Sequence, residues 1–388
     1  MDLSDILEYA TPIEEMLYIR AAQKKSPIRG VIEMLPLCNM NCSMCYVRLT
    51  RAEMEAQGRM RTVEEWLAVA EEMKKAGTLF VTLTGGEPLI YPEFKRLYLE
   101  LKKMGMVLML NTNGTLIDEE WADFFAENPP RRMNITLYGA DADTYERLCG
   151  YRDGFEKVLR GIQLLKERGI AVKINGSIAE ENCADGEAII EIAESLDVVY
   201  KLDTYMYPGE RERNRPFDQQ ARMSPEKAAA NKVKLMRKEH EKEDEKEHGK
   251  EHEGNAGKFA EIVKQILERV RNTVPGSLED GGRKVFCKAG CCAFAINWQG
   301  EMRPCVMVTE PSVSVFEKGF AKAWKENMQA VDQIVLSAKC NACALREACQ
   351  VCAASALLET GDYAGTPEYM CRYTKEFVRL LQELDAKG

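Results

Sequence analysis

From residue 31 onward, short apolar runs alternate with longer stretches whose apolar positions recur at helical spacing. Residues 31–35 read as a strand running into a Cys-rich loop. Residues 62–76 read as a helix, with Thr62 as N-cap and Gly77 as its stop. A short buried strand follows at 79–83 and ends at Gly85-Gly86. Then come a helix at 93–104, a strand at 107–110 ending at Asn111-Thr112-Asn113-Gly114, a helix at 118–127 and a strand at 133–138. The series closes with a helix at 155–168 stopped by Gly169, a strand at 172–175, a helix at 187–196 and a strand at 199–207. Strands alternating with helices of this length predict repeated βα units and a parallel sheet. Six such strands fit an α/β fold, an open, partial (β/α)6 TIM-like barrel, with ligands at the carboxyl ends of the strands.

The flanks read differently. In residues 1–30, Leu3, Ile6, Leu7, Ile13, Leu17 and Ile19 have roughly helical spacing, which suggests a packing helix. The barrel is expected over 31–207, and 208–285 breaks its rhythm. Ser224-Pro225-Glu226 is a helix start, with Ser224 as N-cap and Pro225 at the first position. Residues 237–253 are almost all charged and read as a solvated helix or insertion; 259–270 is a second amphipathic helix. Gly281-Gly282 marks a boundary before a small Cys-rich C-terminal domain, 286–388.

Composition narrows the function classes. The chain has 388 residues, enough for more than one domain, and is 45% hydrophobic and 30% charged, as soluble globular chains are. A net charge of −9 argues against a nucleic-acid or anionic-membrane surface. The acidic start Met1-Asp2-Leu3-Ser4-Asp5 is unlike a signal peptide, and no apolar run is long enough to span a bilayer. A cytoplasmic location is therefore expected, where the 14 Cys stay reduced and clustered thiols serve as metal ligands. All three His (His240, His248, His252) lie in the charged stretch, so none remains elsewhere as a base or ligand.

Cys38, Cys42 and Cys45 form a C-x3-C-x2-C run with Tyr46 directly after it. Three soft thiolates so close select zinc, copper or iron–sulfur. A structural zinc would need a fourth ligand from elsewhere, whereas a cubane cluster on three thiolates keeps one iron open for a substrate or cofactor. Gly85-Gly86-Glu87-Pro88 follows the second strand; paired glycines permit close approach to backbone, and Glu87 is an anion that can meet an ammonium. Together the two motifs resemble the radical S-adenosylmethionine (SAM) superfamily. The resemblance covers 31 to about 207, with one small departure at Met44, where that family often has an aromatic residue. It implies a 4Fe–4S cluster on Cys38, Cys42 and Cys45, with SAM chelated at the open iron, and SAM contacts from Tyr46, Gly85, Gly86, Glu87 and Pro88. It further implies contacts from Asn113 at the third strand, Thr136 at the fourth, Arg147 in the following helix, and Asn175 and Ser177 at the fifth.

The C-terminal thiols run Cys287, Cys291, Cys292, then Gly300-x4-Cys305, Cys340-x2-Cys343-x5-Cys349-x2-Cys352 and Cys371. This resembles the SPASM extension of radical SAM enzymes, which holds two auxiliary 4Fe–4S clusters. The last gap departs, with two residues where the family usually has three, and that bears on Cys352. The family's crossed pattern would give one cluster to Cys287, one of Cys291 or Cys292, Cys305 and Cys352. The other would take Cys340, Cys343, Cys349 and Cys371. With eight ligands neither auxiliary cluster has an open iron, so electron acceptance is their expected task. Cys149 and Cys183 read as small buried side chains. Two structural zinc sites are the alternative for this region.

Such enzymes cleave SAM to a 5′-deoxyadenosyl radical that abstracts hydrogen from an unactivated C–H bond. SPASM relatives mostly modify peptides, so a peptide substrate is expected, together with an electron donor such as flavodoxin or ferredoxin. Only about 30 residues precede the barrel where crosslinking relatives often carry roughly 80, which leaves a separate leader-recognition protein, direct binding of a short leader or a smaller substrate as the alternatives. A porphyrin-type or other small cofactor precursor is the alternative substrate. Sulfatase maturases place an Asp directly after the Cys equivalent to Cys305; here Val306 stands there, which lowers the formylglycine reading. The remote alternative is a non-catalytic zinc-binding or electron-transfer protein. No residue is singled out as a catalytic base.

Overall fold

A computed structural model describes residues 11–208, 221–248, 257–285 and 287–386, without the side chains of 241–248. His248 and His252 thus lie outside the described side chains. In chain order the elements are α1 (Pro12–Lys24), β1 (Arg29–Glu33), α2 (Arg51–Gln57), α3 (Val63–Lys75), β2 (Phe80–Thr84), α4 (Phe94–Lys103), β3 (Val107–Thr112), α5 (Glu119–Glu127) and β4 (Arg132–Thr136). They continue as α6 (Ala142–Cys149), α7 (Gly154–Glu167), β5 (Val172–Ser177), α8 (Gly186–Ser195), β6 (Val199–Asp203), α9 (Pro225–His248) and α10 (Lys258–Arg271). The last are β7 (Ala293–Ile296), β8 (Glu301–Arg303), β9 (Val313–Ser314), α11 (Phe320–Gln333), α12 (Ala353–Thr360) and α13 (Glu368–Asp385).

The chain divides into two compact units. The first comprises Met1–Asn175 and Val285–Ile334, and the second Gly176–Pro208, Ala221–Lys284 and Val335–Gly388, taken over their described residues. In the first unit the strands run β5-β4-β3-β2-β1-β7-β8-β9. β1 to β5 pair in parallel, and β7 lies parallel to β1 on its other side, with Arg29 opposite Ala293. β8 and β9 add on antiparallel. The predicted parallel βα core is present, and the Cys-rich region extends it by three strands that the apolar pattern did not announce.

Local chemistry explains the helix starts. Thr11, Thr50 and Thr62 each close a capping box with the Glu three residues on, which satisfies two backbone donors reciprocally. Ser224 accepts from the Lys227 backbone and Pro225 opens α9, as expected. Alternation divides the sheet into two faces. Ile32, Leu83, Leu110, Ile135 and Ile174 are fully buried on one. Packing there is close enough that a Cβ on Gly30 would lie 2.6 Å from the Phe294 ring of β7. The opposite face is polar: Glu33 pairs with Thr84, and Asn111, Asn134 and Lys173 are partners across β3, β4 and β5.

In the second unit, Gly186 of α8 lets Leu235 of α9 approach to 2.7 Å of where a Cβ would stand. Arg372 of α13 grips Glu226 of α9 through two nitrogens at 2.9 and 3.0 Å. Arg222 and Glu359 form a buried pair at 2.7 Å, each 5% exposed, with the guanidinium 3.9 Å from the Tyr369 ring centre. Removing one partner strands the other charge, so Arg222→Ala should cost about 3–5 kcal/mol in urea unfolding of this unit. Replacing both, Arg222→Met with Glu359→Leu, should recover most of that loss.

Candidate active site

β1 delivers the chain through Met34 and Leu35, both with no exposure, into the loop that carries Cys38, Cys42 and Cys45. Backbone donors point at the sulfurs: Met40 N–H lies 3.4 Å from Cys38 Sγ, and Arg48 N–H 3.3 Å from Cys45 Sγ. The middle of the loop docks on the end of α6, where Asn41 N–H donates to the Cys149 carbonyl at 2.9 Å and Ser43 N–H to the Leu148 carbonyl at 2.8 Å. Burial pushes the Cys38 thiol up to about 12, and the negative groups Glu87, Cys42 and Cys45 add to this. Cys42 is raised as well, by its contact with Cys149 and then by burial. Thiols held protonated, as Cys38 and Cys42 are, become thiolates only against a strong positive charge.

An iron–sulfur cluster supplies that charge, and the donor set fits one. The thiols are near enough to feel one another's charge. Three soft thiolates on one loop, each taking its own iron, are the donor set of such a cluster.

Gly85 and Gly86 press the end of β2 against the lead into this loop. Gly86 N–H donates to the Leu35 carbonyl at 2.7 Å, and Glu87 N–H to the Leu37 carbonyl at 2.9 Å. A Cβ would stand 2.4 Å from Leu35 O at Gly85 and 2.1 Å from Leu37 O at Gly86, so neither position tolerates a side chain. Glu87 is fully buried, and its carboxylate accepts from Leu89 N–H at 3.1 Å, Thr112 Oγ1 at 2.8 Å and Asn113 N–H at 2.9 Å. Burial raises its carboxyl to about 7. These bonds tie the carboxylate to the end of β3, where it works as an internal brace. Pro88 opens a short buried 3-10 turn behind it.

Asn113 carries the brace to the thiols. Its amide donates to Asn39 Oδ1 at 2.9 Å and reaches Cys38 Sγ at 3.7 Å, while Asn39 donates to Thr115 Oγ1 at 2.8 Å. The structure therefore joins Cys38, Cys42, Cys45, Gly85, Gly86, Glu87 and Asn113 into one constellation. Thr136 and Asn175 are register partners at the ends of β4 and β5. Tyr46 is half-buried just past the last thiol. Arg147 is exposed on α6, where Nη2 donates to Thr144 of the same helix at 3.0 Å. Ser177 closes β5 and belongs to the second unit. Sequence reasoning missed Asn39, Thr112 and Thr115, which polar residues beside the two motifs could have signalled. It also missed what Cys149 touches: buried as expected, this thiol lies against Cys42. Cys183 is half-buried rather than buried, and its thiol donates to the Glu180 carbonyl at 3.2 Å.

The C-terminal thiols fall in both units. In the first, Cys292 is fully buried in an apolar cluster with Tyr18, Ile28, Phe80 and Met109, and is held protonated by its contact with Cys291 and by burial. Cys291 is half-buried, 3.5 Å from the Ala22 carbonyl. Cys287 and Cys305 are also half-buried in that unit. In the second, burial and the neighbouring Cys340, Cys349 and Cys343 push the Cys371 thiol up to about 11, so these four thiols share one neighbourhood. Cys352 Sγ lies 3.4 Å from the Tyr207 hydroxyl.

Comparison with known proteins agrees with this geometry. Residues 32–182 match the family model of the radical SAM superfamily. Residues 32–182 are thus a radical SAM domain, and the chain is a radical SAM enzyme with a Cys-rich C-terminal region. The family implies SAM and a 4Fe–4S cluster. When bound, they supply a carbon-centred radical; Cys38, Cys42 and Cys45 are the residues that would hold the irons. The chain is similar to an AdoMet-dependent heme synthase from Methanosarcina barkeri, 25% identical over 87% of this chain and 93% of that protein. It is also similar to the antilisterial bacteriocin subtilosin biosynthesis protein AlbA from Bacillus subtilis, 23% identical over 72% of this chain and 55% of AlbA. Its fold resembles that of Streptococcus suis SuiB bound to S-adenosylmethionine, with a TM-score of 0.64, 15% identity, and coverage of 92% of this chain and 81% of SuiB. No helix of the described residues is long and apolar enough to cross a membrane.

Gly86→Ala should push Leu37 away and misplace Cys38. The expected result is loss of about four irons per chain in anaerobic reconstitution, with circular dichroism little changed. Glu87 gives a pH signature. Its folded value of about 7 exceeds the ordinary 4.5, so it stabilises the fold below about 4.5 and loses that contribution as pH rises through about 7. The stability of the wild type relative to Glu87→Gln should therefore fall across that window in denaturant titrations. A pH-independent difference contradicts the assignment.

Proposed function

We propose that this radical SAM enzyme oxidatively modifies a peptide, for example by forming a thioether or other crosslink. The observation that carries the reading is the second gathering of thiols, Cys340, Cys343, Cys349 and Cys371, in one chain with the radical SAM domain. Such a gathering resembles the auxiliary-cluster arrangement of peptide-modifying SPASM enzymes, and the likeness to AlbA supports a peptide substrate. We read 286–388 as the auxiliary domain, and Cys287, Cys305, Cys352 and one of the 291/292 pair as further ligands. The deep burial of Cys292 favours Cys291 in that role. The three clusters are charged by a flavodoxin- or ferredoxin-type donor, and a separate leader-recognition protein presents the peptide. Clustered Cys kept reduced as metal ligands are in keeping with a cytoplasmic location.

A porphyrin-type precursor is the second reading. What favours it is coverage: the similarity to the heme synthase spans 93% of that protein, against 55% of AlbA. Formylglycine formation is less supported, because Val306 stands where those maturases carry an Asp.

Anaerobic reconstitution followed by iron counting and 5′-deoxyadenosine assay tests these readings. Wild type should hold about twelve irons and the Cys38/Cys42/Cys45→Ala variant about eight, and only wild type should release 5′-deoxyadenosine with SAM and reductant. Zinc in place of iron would sink the enzyme reading. A stimulated yield with a Cys-containing peptide encoded beside this gene supports the first substrate; stimulation by a porphyrin precursor alone supports the second.

A further inference from the structure

Cys42 is the most enclosed of the three loop thiols, buried where Cys38 and Cys45 are half-buried. Two side chains with no role so far touch its sulfur. Cys149, the last residue of α6, has no exposed surface and hydrogen-bonds Cys42. Tyr138, two residues past β4, is a second hydrogen-bond partner of the same sulfur. Both are held in place by backbone. Asn41 N–H and Ser43 N–H, on either side of Cys42, bond the carbonyls of Cys149 and Leu148 at 2.9 and 2.8 Å. Gly150, in the left-handed conformation, ends α6 directly after Cys149. Tyr138 is fixed by its own N–H, which donates to the Tyr145 hydroxyl at 3.3 Å.

The chemistry of a ligating thiolate then decides the direction of these bonds. A metal-bound Cys42 has no proton to give, so Cys149 must offer its S–H and Tyr138 its O–H. We propose that Cys149 and Tyr138 are positioning residues that donate hydrogen bonds to the Cys42 sulfur and thereby raise the reduction potential of the cluster that Cys42 holds. The proposal rests on the radical SAM reading above. Reduction places more negative charge on the cluster and its sulfurs. Donors aimed at a sulfur stabilise that charge, and in a buried, low-dielectric site they do so more strongly than in water. Outer partners of this kind orient a ligand as well as tune it. No electron or proton is transferred by either residue.

The test is a redox titration of the reconstituted full-length chain, monitored by electron paramagnetic resonance. The signal to follow is the one that changes on adding SAM and is absent from the Cys38/Cys42/Cys45→Ala variant. Its midpoint should move to lower potential in Cys149→Ala and in Tyr138→Phe, move further in the double variant, and return toward wild type in Cys149→Ser, whose hydroxyl still donates. Wild-type midpoints in fully loaded Cys149→Ala and Tyr138→Phe would overturn the proposal. Should Cys149→Ala fail to load iron, Tyr138→Phe decides alone, since it keeps the ring and removes only the donor. A wild type without any SAM-responsive cluster would instead overturn the reading beneath the proposal.

Discussion

Everything at this site depends on how closely two stretches of backbone approach each other. The end of β2 bonds the lead into the Cys loop at two points, Gly86 to Leu35 and Glu87 to Leu37, and there is room for this only because positions 85 and 86 lack a Cβ. Leu37 immediately precedes Cys38. The first thiol is therefore placed by backbone pairing that continues β1, a rigid element, rather than by a loop free to settle. Glu87 then ties the same point to the end of β3 through Thr112 and Asn113. Three successive strand ends are locked to one another by bonds within the protein alone. A cluster that must hold a ligand in fixed geometry gains from such preorganisation.

The cost of that lock is a buried carboxyl group and several buried thiols. Burial raises Glu87 to about 7 even though two N–H groups and one hydroxyl around it pull the other way. Around the thiols, the compensating groups are backbone N–H donors and the amide of Asn113. The two faces of the sheet follow the same division of labour. The face with Ile32, Leu83, Leu110, Ile135 and Ile174 supplies cohesion, while the face with Glu33, Asn111, Asn134 and Lys173 retains polar groups. Asn134 donates to Asn111 at 2.8 Å and accepts from Arg132 at 3.0 Å, so this wall is itself hydrogen-bonded and preset.

Much of this was legible in the sequence because it rests on local rules. The βα rhythm, the Thr62 and Ser224 caps and the Cys and Gly motifs are written in contiguous residues, and most elements fall within a residue or two of the expected boundaries; the last strand ends at Asp203 instead of 207, and the helices Arg51–Gln57 and Ala142–Cys149 carry no such rhythm. Long-range pairing was not legible. β7, β8 and β9 span four, three and two residues, too short for any periodicity, and they join the sheet only through β1, far away in sequence. The motif glycines were read as exposing backbone to a ligand, and Glu87 as facing an ammonium. Sequence alone cannot say that Leu35 and Leu37 occupy the space beside the glycines or that Thr112 and Asn113 enclose the carboxylate. Cys149 shows the same limit: its burial followed from its chemistry, but its neighbour Cys42 lies more than a hundred residues away in the chain.

The two groups of thiols differ in a way that chemistry turns into function. Three thiolates around a cubane leave one iron free to take an exogenous ligand, and four close it. The Cys38 loop has three thiols, and the nearest fourth, Cys149, is directed by the α6 end at Cys42 itself rather than at an open position. It is placed to modulate a ligand instead of becoming one. The Cys340, Cys343, Cys349 and Cys371 group has four, with Cys371 supplied by α13, an amphipathic helix anchored by Tyr373 and Phe377. A closed cluster there would exchange electrons without binding substrate. An open cluster on three thiols that makes a radical, followed by a closed one on four that would take an electron away, would suit an oxidation, in which the substrate loses a hydrogen atom and then an electron.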